Sequence, residues 1–200
     1  MKEIRKGMLL VISGPSGAGK GTLVAKLLDK DPSFAFSVSV TTRKRRENEI
    51  EAVHYHFISD TEYDKLLSED AFLEHASVHG HRYGTLKKEV FDRIEQGQNV
   101  LLDIDPQGAR NVMEKEPNCV SVFILPPSYH DLRVRLHTRN TEGEEEIQRR
   151  LNNARGEIEQ MGRYRYLIVN DDLELAFDQL ISIVRAEKQS TVRYFPEIEE

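Results

Sequence analysis

The segment of residues 8–30 constrains the fold of this chain more than any other part of its sequence. It begins with an almost wholly apolar run, Met8–Ser13, continues with the turn GPSGAGK, and ends in a helix-forming stretch. The turn fits the spacing G-x-x-x-x-G-K of a phosphate-binding loop (P-loop), in which glycines let the backbone turn sharply and direct N–H groups at phosphate oxygens. The stretch after it places Leu23, Leu27 and Leu28 on one helical stripe. A buried strand, a P-loop and an amphipathic helix in this order predict an α/β fold with a parallel sheet flanked by helices.

The P-loop departs from the usual pattern directly after its lysine. Lys20 supplies a charge for the β- and γ-phosphates of a nucleotide, but Gly21 stands where Ser or Thr usually ligates Mg²⁺, and the hydroxyl comes one residue later. We expect the phosphates and water to hold most of the Mg²⁺ coordination shell, and Thr22 to serve the α-phosphate. Asp103, at the end of a later buried strand, is the predicted metal-associated carboxylate, acting through water. The predicted loop residues are Gly14, Pro15, Ser16, Gly17, Ala18, Gly19, Lys20, Gly21 and Thr22.

Length and composition narrow the class of protein further. Two hundred residues suit one domain, or one core with small inserted lobes. No apolar run reaches about 18 residues, so no membrane span is expected, and the apolar stretch near the N-terminus indicates a buried strand rather than a signal peptide. A net charge of −6 argues against wholesale binding of nucleic acid. Cys119 is the only cysteine, which rules out an internal disulfide and indicates a cytoplasmic protein.

Buried strands and amphipathic helices alternate along most of the chain. Further buried strands are predicted at residues 99–104, 119–125 and 166–170, and helices at 106–115, 128–137, 143–161 and 172–188.

The middle of the chain follows a different pattern. Residues 34–42, FAFSVSVTT, alternate apolar and polar side chains as in one half-exposed strand, and VHYHFIS and FLEHASV look like further strands. Ser59 and Glu62 have the spacing of a helix capping box. These patterns predict a lobe of residues 36–89 inserted beside the main sheet, and the charge-rich segment 135–160 is predicted to be mobile. The tail from Ser190 onward is expected to be loose.

Six motifs in register along the chain resemble the guanylate kinase family: ISGPSGAGKGTL, SVSVTTRKRR, FLEHASVHGHRYGT, LLDIDPQGA, FILPPS and YLIVNDD. The resemblance runs from about Lys6 to Lys188, and Lys-Gly-Thr in the P-loop is familiar in this family. It implies transfer of a phosphoryl group from ATP to GMP, with Mg²⁺ bound to ATP, in purine nucleotide metabolism. It also implies a P-loop kinase core (residues 6–35, 90–134 and 161–190), a GMP-binding lobe (36–89) and a helical lid (135–160) within one domain of residues 1–200.

The resemblance also implies roles for individual residues. Arg43 and Arg46 would hold the GMP phosphate with the hydroxyls of Tyr55 and Tyr83. The guanine pocket would be lined by Ser39, Glu74, Thr85 and Asp105. The catalytic residues would be Lys20, Arg43 and the lid arginines Arg135, Arg139 and Arg150, which stabilise the phosphoryl group in transfer. Asn170 would lie near the adenine of ATP.

The chemistry of guanine supports these assignments independently. Guanine presents two donors, N1–H and an amino group, which one carboxylate such as Glu74 can accept together, and its O6 suits a hydroxyl such as that of Thr85. Adenine has an acceptor at N1, so AMP is expected to be a poor substrate, whereas GMP and dGMP share the required base.

Two turns depart from the family's usual sequence. Arg45 stands in place of a proline and Asn48 in place of a glycine, which makes the turn after Thr42 less rigid and more basic. Asn tolerates the left-handed conformation that a glycine often adopts. In the predicted lid, Asn140 likewise replaces a glycine.

Other interpretations of the same residues have specific weaknesses. The run Arg43–Arg46 is by itself typical of a nucleic-acid patch or a solvated turn, but the neighbouring serine strand and the P-loop favour a small phosphorylated ligand. The pairs His54/His56 and His79/His81 have the spacing for one strand face, but no carboxylate or cysteine completes a metal site. A catalytically dead binding module would tend to lose the P-loop. A kinase acting on AMP or ribose 1,5-bisphosphate would lack the guanine set.

Overall fold

The computed structural model describes residues 3–78, 80–138 and 143–196. Its strands are β1 Glu3–Arg5, β2 Leu9–Ser13, β3 Phe34–Phe36, β4 Val40–Thr41, β5 His56–Phe57, β6 Phe72–Val78, β7 His81–Leu86, β8 Asn99–Asp103, β9 Val120–Leu125, β10 Tyr166–Val169 and β11 Tyr194–Pro196. Its helices are α1 Lys20–Lys30, α2 Asp60–Ser68, α3 Lys87–Glu95, α4 Pro106–Lys115, α5 Tyr129–Thr138, α6 Glu144–Ile158 and α7 Leu173–Lys188, with a 3₁₀ turn at Met161–Arg163.

A five-stranded parallel sheet in the order β10-β9-β2-β8-β3 forms the core. Strand β2 lies at its centre and is buried on both faces: Leu10 and Ile12 pack with α1 and α7, whereas Leu9 and Val11 pack with α3 and α4. Burial on both faces explains why this strand is apolar at consecutive positions. The predicted parallel α/β fold is confirmed, and the predicted buried strands and flanking helices agree with the structure to within a few residues at their ends.

A second sheet, in the order β5-β4-β7-β6, lies within residues 40–86. Strand β7 pairs antiparallel with both β4 and β6, and Val40, Tyr63 and Phe72 form a small core between this sheet and α2. Helix α2 begins with the predicted capping box, in which the Ser59 and Glu62 side chains each bond the other's backbone N–H. The exact limits of the lobe, the core and the lid stay predictions.

The prediction of one alternating strand over residues 34–42 is wrong. Residues Phe34–Phe36 pair with β8 in the main sheet, and Val40–Thr41 pair in the second sheet. Between them Ser37 is buried, and its N–H donates to the Leu101 carbonyl at 3.0 Å. The chain therefore changes sheets here. The sequence did not reveal this change, because an alternating pattern is the same whether its residues belong to one sheet or to two. The strand predicted at 53–59 is likewise reduced to His56–Phe57.

The C-terminal tail also differs from expectation. Within the described part of the tail, β11 pairs antiparallel with β1 instead of being loose, so that Glu3 lies opposite Pro196. Residues 197–200 of the predicted loose tail lie outside the described residues. Arg193, before this strand, is buried and bonds the Glu187 carboxylate at 2.7 Å. The tail has a partner strand at the opposite end of the chain, which no local pattern reveals.

Helices α5 and α6 pack against each other through Leu132, Leu136, Ile147 and Ala154. The segment that joins them contains Arg139 and Asn140, which lie outside the described residues. Among the helices of the described part of the chain, none has the length and apolar character needed to cross a membrane.

Candidate active site

The P-loop joins β2 to α1 at the carboxyl end of the main sheet. Gly14, Gly17 and Gly19 have φ values of 139°, 91° and 93°, which L-residues with a side chain rarely adopt. Space is also short at Gly14, where an added Cβ would lie 2.2 Å from the Ile124 carbonyl oxygen. The glycines therefore serve both the backbone conformation and the close packing of the loop on β9.

Lys20 and Asp103 lie together beneath this loop. The Lys20 ammonium donates to the carbonyl oxygens of Gly14 at 2.7 Å and Pro15 at 3.2 Å, so it lies inside the curl of the loop. Asp103 ends β8 in register with Ile12 of β2. Burial raises the pKa of the Asp103 carboxyl, and the charge of Lys20 opposes that rise. The structure therefore brings the predicted carboxylate close to the P-loop lysine.

Asn170 connects the P-loop to α5. Its side-chain amide donates a hydrogen bond to the Ala18 carbonyl at 2.8 Å, and its backbone carbonyl accepts one from Arg135 Nη2 at 2.8 Å. Beside these contacts is a cavity of about 400 Å³, lined by Gly17, Gly19, Thr22, Arg135, Thr138, Asn170, Asp171 and Leu173.

Arg150 approaches the P-loop from α6. Its Nη1 donates to the Ser16 hydroxyl at 3.0 Å, and its Nε lies 3.5 Å from the Glu146 carboxylate. Arg135 and Arg150 therefore both reach the loop region from the two packed helices. Their role in phosphoryl transfer stays a prediction. The third predicted lid arginine, Arg139, lies outside the described residues.

A second pocket, of about 280 Å³, lies between the carboxyl end of the main sheet and the second sheet. It is lined by Phe36, Ser39, His54, Tyr55, Glu74, Ala76, Tyr83, Asp103, Ile104 and Asp105. Six of these ten are predicted site residues. Of the remaining predicted GMP-binding residues, Thr85 contacts the pocket residue Glu74, Arg43 packs by the Tyr55 ring, and Arg46 lies exposed in the turn that follows.

Glu74 is a carboxylate buried at the wall of this pocket, with 4% of its surface exposed. The Thr85 hydroxyl donates to its Oε1 at 2.7 Å, and the Ser39 hydroxyl lies 3.4 Å from that of Thr85. Burial raises the pKa of Glu74 to about 7, although the Thr85 bond opposes the rise. Helix α4 packs closely against the other side of Glu74. A Cβ added at Gly108 of this helix would lie only 2.8 Å from Glu74 Oε2. The carboxyl is thus oriented and largely desolvated before any ligand binds.

Asp105 has a structural task in addition to lining the pocket. It is the N-cap of α4, and its Oδ1 accepts the N–H groups of Gln107 at 2.8 Å and Gly108 at 3.0 Å. Pro106 follows as the first helical residue, a common helix start. The cap holds the Asp105 carboxylate at the pocket edge.

Arg43 lies among aromatic rings near the same pocket. Its guanidinium is 5.5 Å from the Tyr55 ring centre and 5.8 Å from that of Phe57, and the Tyr55 and Tyr83 rings are 5.7 Å apart in an edge-on contact. The pKa of Arg43 is raised, mainly by a hydrogen-bonded ion pair with Glu49. Glu49 was not among the predicted site residues.

Two further residues near the site were not predicted from sequence. His54 lines the second pocket, and its Nδ1 accepts the Ile50 N–H at 2.9 Å. Burial raises the pKa of Glu157 on α6, and the charge of Lys20 opposes the rise. Glu157 follows Ala154 by three positions and so lies on the packed face of α6. This helical spacing is the one sequence pattern that could have predicted its position near the site. His79, one of the histidines considered for metal binding, lies outside the described residues.

Known proteins are similar to this chain over most of its length. The family model for guanylate kinase matches residues 6–187. The chain is 51% identical over 185 residues to the guanylate kinase of Rhizobium etli, covering 92% of this chain and 84% of that protein. It is 48% identical over 185 residues to the guanylate kinase of Carboxydothermus hydrogenoformans, covering 92% and 91%. A crystal structure of guanylate kinase from Anaplasma phagocytophilum has a TM-score of 0.79 at 37% identity, covering 96% of this chain and 92% of that one.

Proposed function

Because this chain belongs to the guanylate kinase family and catalyses the ATP-dependent phosphorylation of GMP to GDP, we propose that its two pockets divide the substrates between them. The pocket of about 280 Å³ that Glu74 lines binds GMP, and the cavity of about 400 Å³ beside the P-loop binds ATP. The observation that carries this proposal is the buried Glu74 carboxyl, hydrogen-bonded to Thr85 at the pocket wall.

Glu74 and Thr85 provide the recognition of guanine. An ionised Glu74 accepts both the N1–H and the amino group of guanine. The single proton of the Thr85 hydroxyl goes to Glu74 and orients this carboxylate, and the Ser39 hydroxyl beside it suits the acceptor O6. Adenine would leave the buried carboxylate facing an acceptor, at a cost of roughly 1–3 kcal/mol for each unpaired group. The proposed contacts use the base and the phosphate, so dGMP is also expected to be a substrate.

Charge neutralisation and positioning account for the transfer step. Arg43 and Arg46, with the Tyr55 and Tyr83 hydroxyls, orient the GMP phosphate as the attacking group. Lys20 in the P-loop stabilises the β- and γ-phosphates of ATP. The lid supplies further charge on the transferred group from Arg135, Arg139 and Arg150. In-line phosphoryl transfer needs little covalent participation by the protein. Positively charged groups that position the two substrates and neutralise the phosphates are therefore the kind of catalytic site that the reaction requires.

The residues beside the P-loop fit Mg²⁺ bound together with ATP. Gly21 has no side-chain oxygen, but the Asp103 carboxylate lies near Lys20 and the hydroxyl of Thr22 lies at the rim of the ATP cavity. One carboxylate with water and phosphate oxygens is a donor set that Mg²⁺ accepts. Bound there, the ion neutralises charge on the phosphates. Asp103 would hold it through water, and Thr22 would bond the α-phosphate.

A cytoplasmic location is part of this proposal. Cys119, the only cysteine in the sequence, is a buried free thiol, which suits a reducing compartment.

The test is ADP production from MgATP with GMP, dGMP, AMP or ribose 1,5-bisphosphate as the acceptor. We expect GMP to be the best acceptor, and Glu74→Ala to lower kcat/KM for GMP roughly 100-fold with little change in KM for ATP, because two hydrogen bonds to a charged group are lost. Glu47→Ala, which removes an exposed carboxylate of the same lobe, is the control and should behave as the wild type. Equal turnover of AMP and GMP by the wild type would contradict the guanine pocket.

A further inference from the structure

The carboxylate of Glu49 links the two arginines proposed to hold the GMP phosphate. Its Oε1 accepts a hydrogen bond from Arg43 Nη2 at 2.6 Å, and its Oε2 accepts one from Arg43 Nη1 at 3.0 Å. The same Oε2 accepts the backbone N–H of Arg46 at 2.8 Å. Both side chains of the ion pair are shielded from water, with 14% of Glu49 and 12% of Arg43 exposed.

Glu49 also closes the turn that carries Arg46. Its own N–H donates to the Arg46 carbonyl at 3.1 Å, so the two residues are joined by a backbone bond and by a side-chain bond in the opposite direction. The turn needs no left-handed residue, because the described non-glycine residues with positive φ are Ala52 and Asp70 and not Asn48. The side chain of Glu49 therefore supplies order where the sequence carries Arg45 and Asn48 instead of a rigid proline and a glycine.

We propose that Glu49 is a positioning residue for GMP: it aims the Arg43 guanidinium at the phosphate and closes the turn that carries Arg46. This inference rests on the proposed function, in which both arginines bind the phosphate of GMP.

The hydrogen bonds of Arg43 are compatible with this role. A guanidinium has five N–H donors. Glu49 takes two of them and the Lys44 carbonyl takes a third, on Nη1 at 2.8 Å. The N–H groups left are on Nε and Nη2. The neighbouring Tyr83 side chain already interacts with the guanidinium, so a phosphate oxygen would share this side of the fork with Tyr83. Glu49 thus holds one side of the fork and leaves the other side for a ligand.

Positioning and simple electrostatics predict opposite results for the loss of Glu49. The carboxylate stays ionised at every working pH, because the Arg43 bond and the Arg46 N–H lower its pKa to about 2. As a negative charge near a phosphate it repels the ligand, so by charge alone its removal would tighten GMP binding. If it positions the arginines, its removal weakens GMP binding, because a bidentate charge-assisted pair no longer holds the guanidinium in place.

The experiment compares Glu49→Gln with Glu47→Gln. Glu47 lies in the same turn and is exposed, and within the described residues it makes no hydrogen bond or ion pair. Both variants remove one negative charge at nearly the same place. The measurements are KM for GMP, KM for ATP, the inhibition constant of guanosine, which has the base but no phosphate, and the midpoint of thermal unfolding.

For Glu49→Gln we expect KM for GMP to rise about tenfold, with guanosine inhibition and KM for ATP changing less than about twofold. The midpoint of thermal unfolding should fall by a few degrees at most, because the lost ion pair also stabilises the folded lobe. We expect Glu47→Gln to leave all four values near those of the wild type, because water and salt screen this exposed charge. An unchanged or lower KM for GMP in Glu49→Gln would overturn the proposal. An equal loss of guanosine binding would also overturn it, because the damage would then extend to the guanine pocket.

An Arg43→Lys variant separates this inference from the function on which it rests. A lysine keeps the charge but loses the fork, so KM for GMP should rise in this variant too. If Arg43→Lys leaves KM for GMP unchanged, the assignment of Arg43 to the phosphate is wrong. If Arg43→Lys weakens GMP binding and Glu49→Gln does not, the assignment holds and the positioning role of Glu49 is wrong.

Discussion

The P-loop and the turn of residues 43–49 are both proposed to bind a phosphate, but they hold their shapes in different ways. The P-loop relies on backbone: it has three glycines with positive φ, of which Gly14 packs on the Ile124 carbonyl and Gly19 on the Asn170 amide. The turn contains no glycine and relies on side chains, chiefly the ion pair of Glu49 with Arg43. A site encoded in the backbone is rigid and recognisable from a few residues. A site encoded in side chains can tolerate sequence changes in its turn, provided that the ion pair is kept.

The largest effect is expected from adding a methyl group to the P-loop. Gly14→Ala should lower the free energy of unfolding by about 3 kcal/mol, because the residue is strained at φ 139° and its Cβ would lie 2.2 Å from the Ile124 carbonyl oxygen. Urea unfolding measures the change. Gly21→Ala is the matched control: nothing lies within 4 Å of its Cβ and it lies in α1, so alanine should stabilise by about 1 kcal/mol. Equal effects of the two substitutions would break the comparison, since the loop would then not depend on its backbone.

A smaller effect, of side-chain origin, is expected from pH at the GMP pocket. In the proposed function guanine binds the ionised form of Glu74, and burial raises the pKa of this carboxyl to about 7. Below that pH, binding must remove a proton from the carboxyl, so the affinity for guanosine should fall as the pH decreases, roughly 30-fold between pH 8 and pH 5.5. Calorimetric titration with guanosine at each pH measures this affinity. Guanosine is used instead of GMP because the phosphate of GMP itself changes its ionisation near pH 6.

Glu74→Gln provides the control for this pH dependence. Its amide does not ionise, so its guanosine affinity should be weaker and flat over the same pH range. A wild-type profile as flat as that of the variant would contradict the role of the Glu74 carboxylate.

The smallest effect is expected where the two sites meet, at Asp103. This residue lines the proposed GMP pocket, and the charge of Lys20 lowers the pKa of its carboxyl against the effect of burial. Asp103→Asn should raise the Mg²⁺ concentration that gives half-maximal activity by about tenfold, because a carboxylate that acts through water tunes the metal without binding it directly. A titration of activity with Mg²⁺ at fixed ATP measures the shift. An unchanged midpoint would assign Asp103 to the GMP side alone.

Much of the fold was predictable, because its signals lie within short windows. The P-loop spacing, the capping box of Ser59 and Glu62 and the consecutive apolar residues of β2 each depend on neighbours in sequence. Helix α4 covers Pro106–Lys115, the range that the sequence predicts. The family motifs extended the prediction to most residues of the two pockets.

The sequence by itself determined the backbone of the P-loop, the class of fold and the residue types available for phosphate and guanine. The tertiary structure decided which distant segments meet. It divided residues 34–42 between two sheets, paired the C-terminal tail with β1, and joined Glu49 to Arg43 beside the Tyr55 ring. The physical reason is the range of the interactions: turn conformation and hydrophobic period are set by adjacent residues, whereas strand partners and ion pairs depend on which surfaces are buried together.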